Sequence, residues 1–73
     1  MSEYQRRVIH ELRELAEKRI KLASFLHSAA SVQVEPKERG LLDEQLQVMK
    51  RYSAILYERI SLFGLTSEQI ESA

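Results

Sequence analysis

The chain has 73 residues, no cysteine, two histidines, and eleven basic against eleven acidic side chains. That length allows one domain near the lower limit at which a single core is self-sufficient, and without cysteine neither disulfides nor thiolate metal sites can supplement it, which leaves oligomerisation. The balanced charge excludes a global positive field that would hold duplex nucleic acid or an anionic membrane, and a polar start with only short apolar runs predicts no secretion signal and no membrane span, so a cytoplasmic setting is expected.

Ser2 with Gln5 three residues later has the form of a capping box, in which each side chain satisfies a free amide of the other's first helical turn. A helix over about 3–28 is predicted from there. Val8, Leu15, Leu22 and Ala29 recur every seven residues with Leu12 and Leu26 between them, an apolar stripe interrupted only by Arg19. On the opposite face Glu3 with Arg7, Glu14 with Lys18, and Glu17 with Lys21 are spaced one helical turn apart, each pair supporting an isolated helix by roughly 0.2–0.5 kcal/mol.

Periodicity is lost over about 29–36, which holds the β-branched Val32 and Val34 and the single proline, Pro36. Proline is tolerated only in a helix's first turn, so the chain must turn before it. A second helix is predicted over about 37–63, with Leu42, Met49, Leu56 and Phe63 in one row and Leu41, Val48, Ile55 and Leu62 in another beside it. Gly64 fits a left-handed helix end, and Thr66 with Gln69 repeats the capping-box form ahead of a short helical turn over about 67–71 that carries Ile70, with Leu65 preceding it.

The fold class is therefore all-α: a single domain over 1–73, an antiparallel two-helix hairpin with a short C-terminal helical turn. Centring the turn near Val34 sets Val8 across from Ile60, Leu12 from Leu56, Leu15 from Ser53 and Arg19 from Met49. A two-helix seam covers one narrow stripe. The second helix presents two rows, and the first adds Ile9, Ala16, Ile20, Ala23 and Phe25 beside its stripe. The C-terminal turn can close one end but cannot reach Leu41 and Val48, so assembly into a homo-oligomeric helical bundle is expected.

No spacing supports catalysis. His10 and His27 lie far apart with no nucleophile beside either, the serines sit on no nucleophile elbow, and Gly40 and Gly64 are isolated rather than part of a phosphate loop. No enzyme activity, cofactor or metal is expected. Arg19, at an apolar position, needs either a buried acceptor or a head that reaches water, and Arg59 on the seam edge is expected to pair with a carboxylate such as Glu11. The residues that suit a ligand are Tyr4 and Arg7 in the first helix, near Arg6, and Lys50, Arg51 and Tyr52 in the second. Tyrosine offers a face for a base, and arginine and lysine neutralise phosphate. The plainer reading makes them ordinary charged and interface residues. The two groups stand roughly 12 Å apart along the hairpin axis, so one pocket would take both from different protomers.

The order Tyr4-Gln5-x-Arg7-Val8, Glu14-Leu15, Lys18, Leu22 and Phe25, followed after the turn by Leu42, Gln45, Met49, Tyr52-Ser53, Ile55-Leu56 and Arg59-Ile60, resembles the short helical-hairpin proteins of tailed phages, including crAss-like phages. The likeness covers about Tyr4 to Phe63, with a longer turn and the segment from Leu65 onward as departures. More distantly, in length, helix content and oligomeric habit, the chain resembles the phage anti-CBASS sponges, which bind cyclic di- or trinucleotides between protomers. These resemblances imply a phage counter-defence protein in the host cytoplasm that sequesters a nucleotide-derived signal, with a cyclic oligonucleotide as the leading ligand. No residue's role is carried over from them. The alternative is a helical interaction protein that binds and inhibits a host protein.

Overall fold

The computed structural model describes residues 1–73 as an antiparallel helical hairpin with a short third helix: α1 (Glu3–Leu26), α2 (Pro36–Ser61) and α3 (Ser67–Ser72). It is a rod of 45 × 18 × 16 Å. Each start is fixed by local chemistry. Ser2 Oγ accepts from the Gln5 amide at 3.1 Å while Gln5 Oε1 accepts from the Ser2 amide at 3.1 Å, closing the box that begins α1. The same reciprocal pair, Thr66 with Gln69, begins α3. Pro36 is the first residue of α2, where its missing N–H costs nothing.

The ends differ from the expected boundaries by a residue or two. α1 stops at Leu26 because the chain tightens at once into a 3₁₀ turn over Ala29–Gln33. Ser31 is nearly sealed there, 1% exposed, and its hydroxyl donates to the Ser28 carbonyl at 2.8 Å and reaches that of Leu26 at 3.2 Å. That hydroxyl gives the last turn of α1 a partner for a free carbonyl. At the far end α2 stops at Ser61, and Gly64, with φ at 68°, turns the chain toward α3.

The core is gathered at the end of the rod away from the turn. Val8, Ile9, Leu15, Leu56 and Ile60 form one buried cluster, with Leu12, Met49, Phe63, Leu65, Ile70 and Ala73 packed against it. Ile9 belongs to the first helix's secondary row, yet it is 2% exposed. The reason is α3, which places Ile70 and Ala73 on the cluster at this end of the row. Burying an isoleucine or leucine side chain of this kind stabilises by about 1.5–3 kcal/mol.

Nearer the turn only Leu46 is buried among the apolar side chains, and Leu22, Leu26 and Leu42 remain half-buried. The second row of α2 is open as its spacing predicts: Leu41, Val48 and Leu62 are 57%, 62% and 85% exposed. Midway along the seam, Arg19 Nε and Ser53 Oγ are buried without a hydrogen-bond partner. Arg19 thus follows neither expected course fully. The side chain is half-buried, and its first nitrogen is lost to water with no acceptor in return.

Candidate functional site

Tyr4, near the start of α1, is drawn onto α2 by two contacts. Arg59 Nη2 donates to the Tyr4 hydroxyl at 2.6 Å, with the guanidinium carbon 5.9 Å from the ring centroid, and the Phe63 ring meets Tyr4 edge-on at 6.1 Å. Arg59 therefore takes a phenol rather than a carboxylate as its partner. A cation held over an aromatic face in this way contributes about 0.5–1 kcal/mol at a site open to water. Tyr4 stays half exposed even so, and Arg7, one turn further along α1, is exposed.

Lys50, Arg51 and Tyr52 are consecutive residues of one helix, so their side chains fan out by about 100° each and do not face one another. Tyr52 shares its face with Val48, Ile55 and Arg59. Lys50 shares its face with Tyr57, seven residues on. Arg51 falls on a third face, between Glu44 and Glu58 in the same seven-residue rhythm. One hairpin thus links Tyr4 and Tyr52 to a common side through Arg59 and leaves Lys50 and Arg51 on separate sides.

A concavity lies elsewhere, in a groove of about 420 Å³ between α1, α2 and α3. Ile9, Leu12, Ile60 and Ile70 give it an apolar floor, and Tyr57, 70% exposed, stands at its edge. Its polar lining is Arg13, Ser61, Ser67 and Glu71. Arg13 also holds the groove's third wall in place. Its guanidinium donates to the carbonyls of Ile70 at 2.5 Å, Glu71 at 3.1 Å, and Ala73. These carbonyls lie at a helix C-terminus, where a cation is favoured by the helix dipole, and the Ile70 carbonyl accepts from the Ala73 amide at 3.3 Å as well. None of the five residues singled out from the sequence lines this groove.

The Sequestin family model matches residues 2–62. The chain belongs to the Sequestin family. The matched span takes in both long helices and ends at Leu62, so α3 and the glycine turn before it lie beyond the Sequestin match. Neither the curated proteins nor the solved structures contain a match to the chain. The groove residues Arg13, Tyr57 and Ser61 come from the Sequestin-matched hairpin, and Ser67, Ile70 and Glu71 come from the added segment. Of this set the sequence pattern points to Ile70, as the apolar residue of the short closing turn, and gives no signal for Tyr57 or Ser61, which lie off the apolar rows. Arg13 carried none, since its partners are backbone carbonyls sixty residues away in sequence.

Proposed function

We propose that the protein is a phage counter-defence factor that sequesters a nucleotide-derived immune signal in the host cytoplasm, holding it without turnover. The observation that carries this reading is the match to the Sequestin family over both long helices, a family whose name denotes sequestration. The ligand class is supported by aromatic and cationic side chains left open to solvent: Tyr4, Arg7, Lys50, Arg51 and Tyr52 are all exposed. A cyclic oligonucleotide suits such a set, because it presents flat bases for tyrosine and phosphates for arginine and lysine at once.

The protein acts as a homo-oligomer in this proposal. Leu41, Val48, Ile55 and Leu62 form an apolar row along one side of α2, over roughly 30 Å at 1.5 Å per residue. One hairpin holds the Lys50–Tyr52 group roughly 12 Å along the axis from Tyr4 and Arg7, so in this proposal the two groups meet from different protomers packed on that row. The same row supports the second reading, a helical surface that docks on a host protein and inhibits it.

One set of measurements separates the two. Thermal shift against linear and cyclic mono-, di- and trinucleotides should show stabilisation by at least one cyclic species, since ligand at a hundred times its Kd adds about 2.7 kcal/mol. Heat-denatured complex should release that species chemically unchanged. Val48→Glu with Ile55→Glu should lower the mass in light scattering and weaken nucleotide binding together. No stabilisation by any nucleotide, with one stoichiometric protein recovered from host lysate, replaces sequestration with host-protein inhibition.

A further inference from the structure

Resting on that reading, we infer that the groove between α1, α2 and α3 is the base subsite for the sequestered nucleotide, and that the phosphates run from it along α2 toward Lys50. Its size falls in the range of small-molecule sites, at about 420 Å³. The floor is aliphatic, from Ile9, Leu12 and Ile60, and Tyr57 rises beside it with most of its ring in solvent. A flat ring lying on that floor gains a tyrosine along its flank, as bases do in single-strand binding sites.

The polar lining decides which flat ligand fits. Glu71 can only accept a hydrogen bond when ionised, the Ser61 hydroxyl also accepts because its own proton goes to the Glu58 carbonyl at 2.6 Å, and the Ser67 hydroxyl can do either. A nucleobase edge carries ring nitrogens or carbonyls that accept and amino groups that donate, so it can use all of these. A lipid tail would leave them unpaired. A phosphate would meet the Glu71 carboxylate, while the Arg13 charge is already committed to the carbonyls of Ile70, Glu71 and Ala73. The groove therefore selects the base, and a phosphate must be met outside it.

Lys50 is placed for that second task. It lies seven residues before Tyr57 on the same face of α2, roughly 10 Å along the helix axis, and its side chain is exposed. That distance is about what separates a base from the phosphate of its own or the next nucleotide once a lysine's reach is included. This gives Lys50 a role that its neighbours Arg51 and Tyr52, on other faces, do not share.

The test uses the full chain, with adenosine, inorganic phosphate and cyclic di-AMP as probes, followed by two-dimensional NMR of amide and methyl groups. Adenosine should shift the methyl signals of Ile9, Leu12, Ile60 and Ile70, and phosphate alone should leave them in place. Tyr57→Ala should weaken cyclic di-AMP at least fivefold. Ser61→Trp, at an exposed position whose new ring would fill the groove without disturbing the core, should abolish adenosine binding while circular dichroism stays unchanged. Lys50→Gln should weaken cyclic di-AMP and leave adenosine unaffected. If adenosine or cyclic di-AMP binds but both Tyr57→Ala and Ser61→Trp bind it as the parent does, the groove assignment is wrong and sequestration stands. If no nucleotide of any class binds the parent protein, the sequestration reading fails and the subsite falls with it.

Discussion

The two ends of the rod are built from the same two helices and differ in what lies on them. Away from the turn, α3 converts the hairpin into three packed elements, and Ile9, Leu56 and Ile60 are all at or below 6% exposure. Toward the turn only the short 3₁₀ segment caps the pair, and Leu22, Leu26 and Leu42 keep part of their surface in water although they occupy the same heptad rows. Spacing alone thus buries few side chains in a two-helix structure: toward the turn Leu46 is sealed, and Leu22, Leu26 and Leu42 are not. Where a third element closes the wedge above the seam more of them are covered, and six residues of helix suffice over the length they reach.

The largest expected effect is at the covered end. Leu56→Ala removes a side chain with no exposure at all, and should cost about 2–5 kcal/mol in urea unfolding followed by circular dichroism. Leu42→Ala, the same truncation at a half-buried position near the turn, should cost distinctly less. Equal losses at the two positions would mean that the turn-proximal seam is covered in solution, and would locate an oligomer contact there.

Arg13→Ala sharpens the comparison by attacking the third element through its hold. It removes donors to three carbonyls at once, worth about 1–3 kcal/mol in all for hydrogen bonds from a charged group in a solvent-open setting. Hydrogen exchange should then show fast amides throughout α3 and faster exchange around Ile9, with the turn-proximal half unchanged. Protection in α3 equal to the parent's would show that the apolar contacts of Leu65, Ile70 and Ala73 hold it unaided.

The smallest effect concerns the bare stretch between the ends. Arg19→Met replaces a group whose Nε is buried without a partner by an apolar chain of similar length, and should be neutral or stabilising by up to about 1 kcal/mol. A loss greater than that would reveal an acceptor for Arg19, supplied by a second copy or by ordered water.

Much of this architecture was readable beforehand because it depends on near neighbours in the chain. The Ser2–Gln5 and Thr66–Gln69 boxes, the turn ahead of Pro36 and the positive φ at Gly64 are all set within four residues. The seven-residue rows likewise gave the seam, and with it Val8, Leu15, Leu56 and Ile60 in one core. What spacing could not provide was the direction in which α3 returns. That single choice buries Ile9, occupies Arg13 and creates the groove. The Tyr4–Arg59 contact is not legible in the sequence for a related reason, since opposite charge pairs an arginine with a carboxylate whereas Arg59 meets a phenol.

The manner in which Arg13 grips α3 has an evolutionary consequence. Its acceptors are main-chain carbonyls, which every residue possesses, so the grip places no demand on the side chains of Glu68, Gln69, Glu71 or Ser72. As long as the segment keeps its Thr66–Gln69 cap and its apolar contacts through Leu65, Ile70 and Ala73, the side chains of Glu68, Glu71 and Ser72 can change without undocking it. Ser67 and Glu71 line the groove from that segment, so the groove's edge can be altered by mutation while the hairpin beneath stays fixed. A scaffold of this kind can change the chemistry of that edge through residues that carry little of its stability.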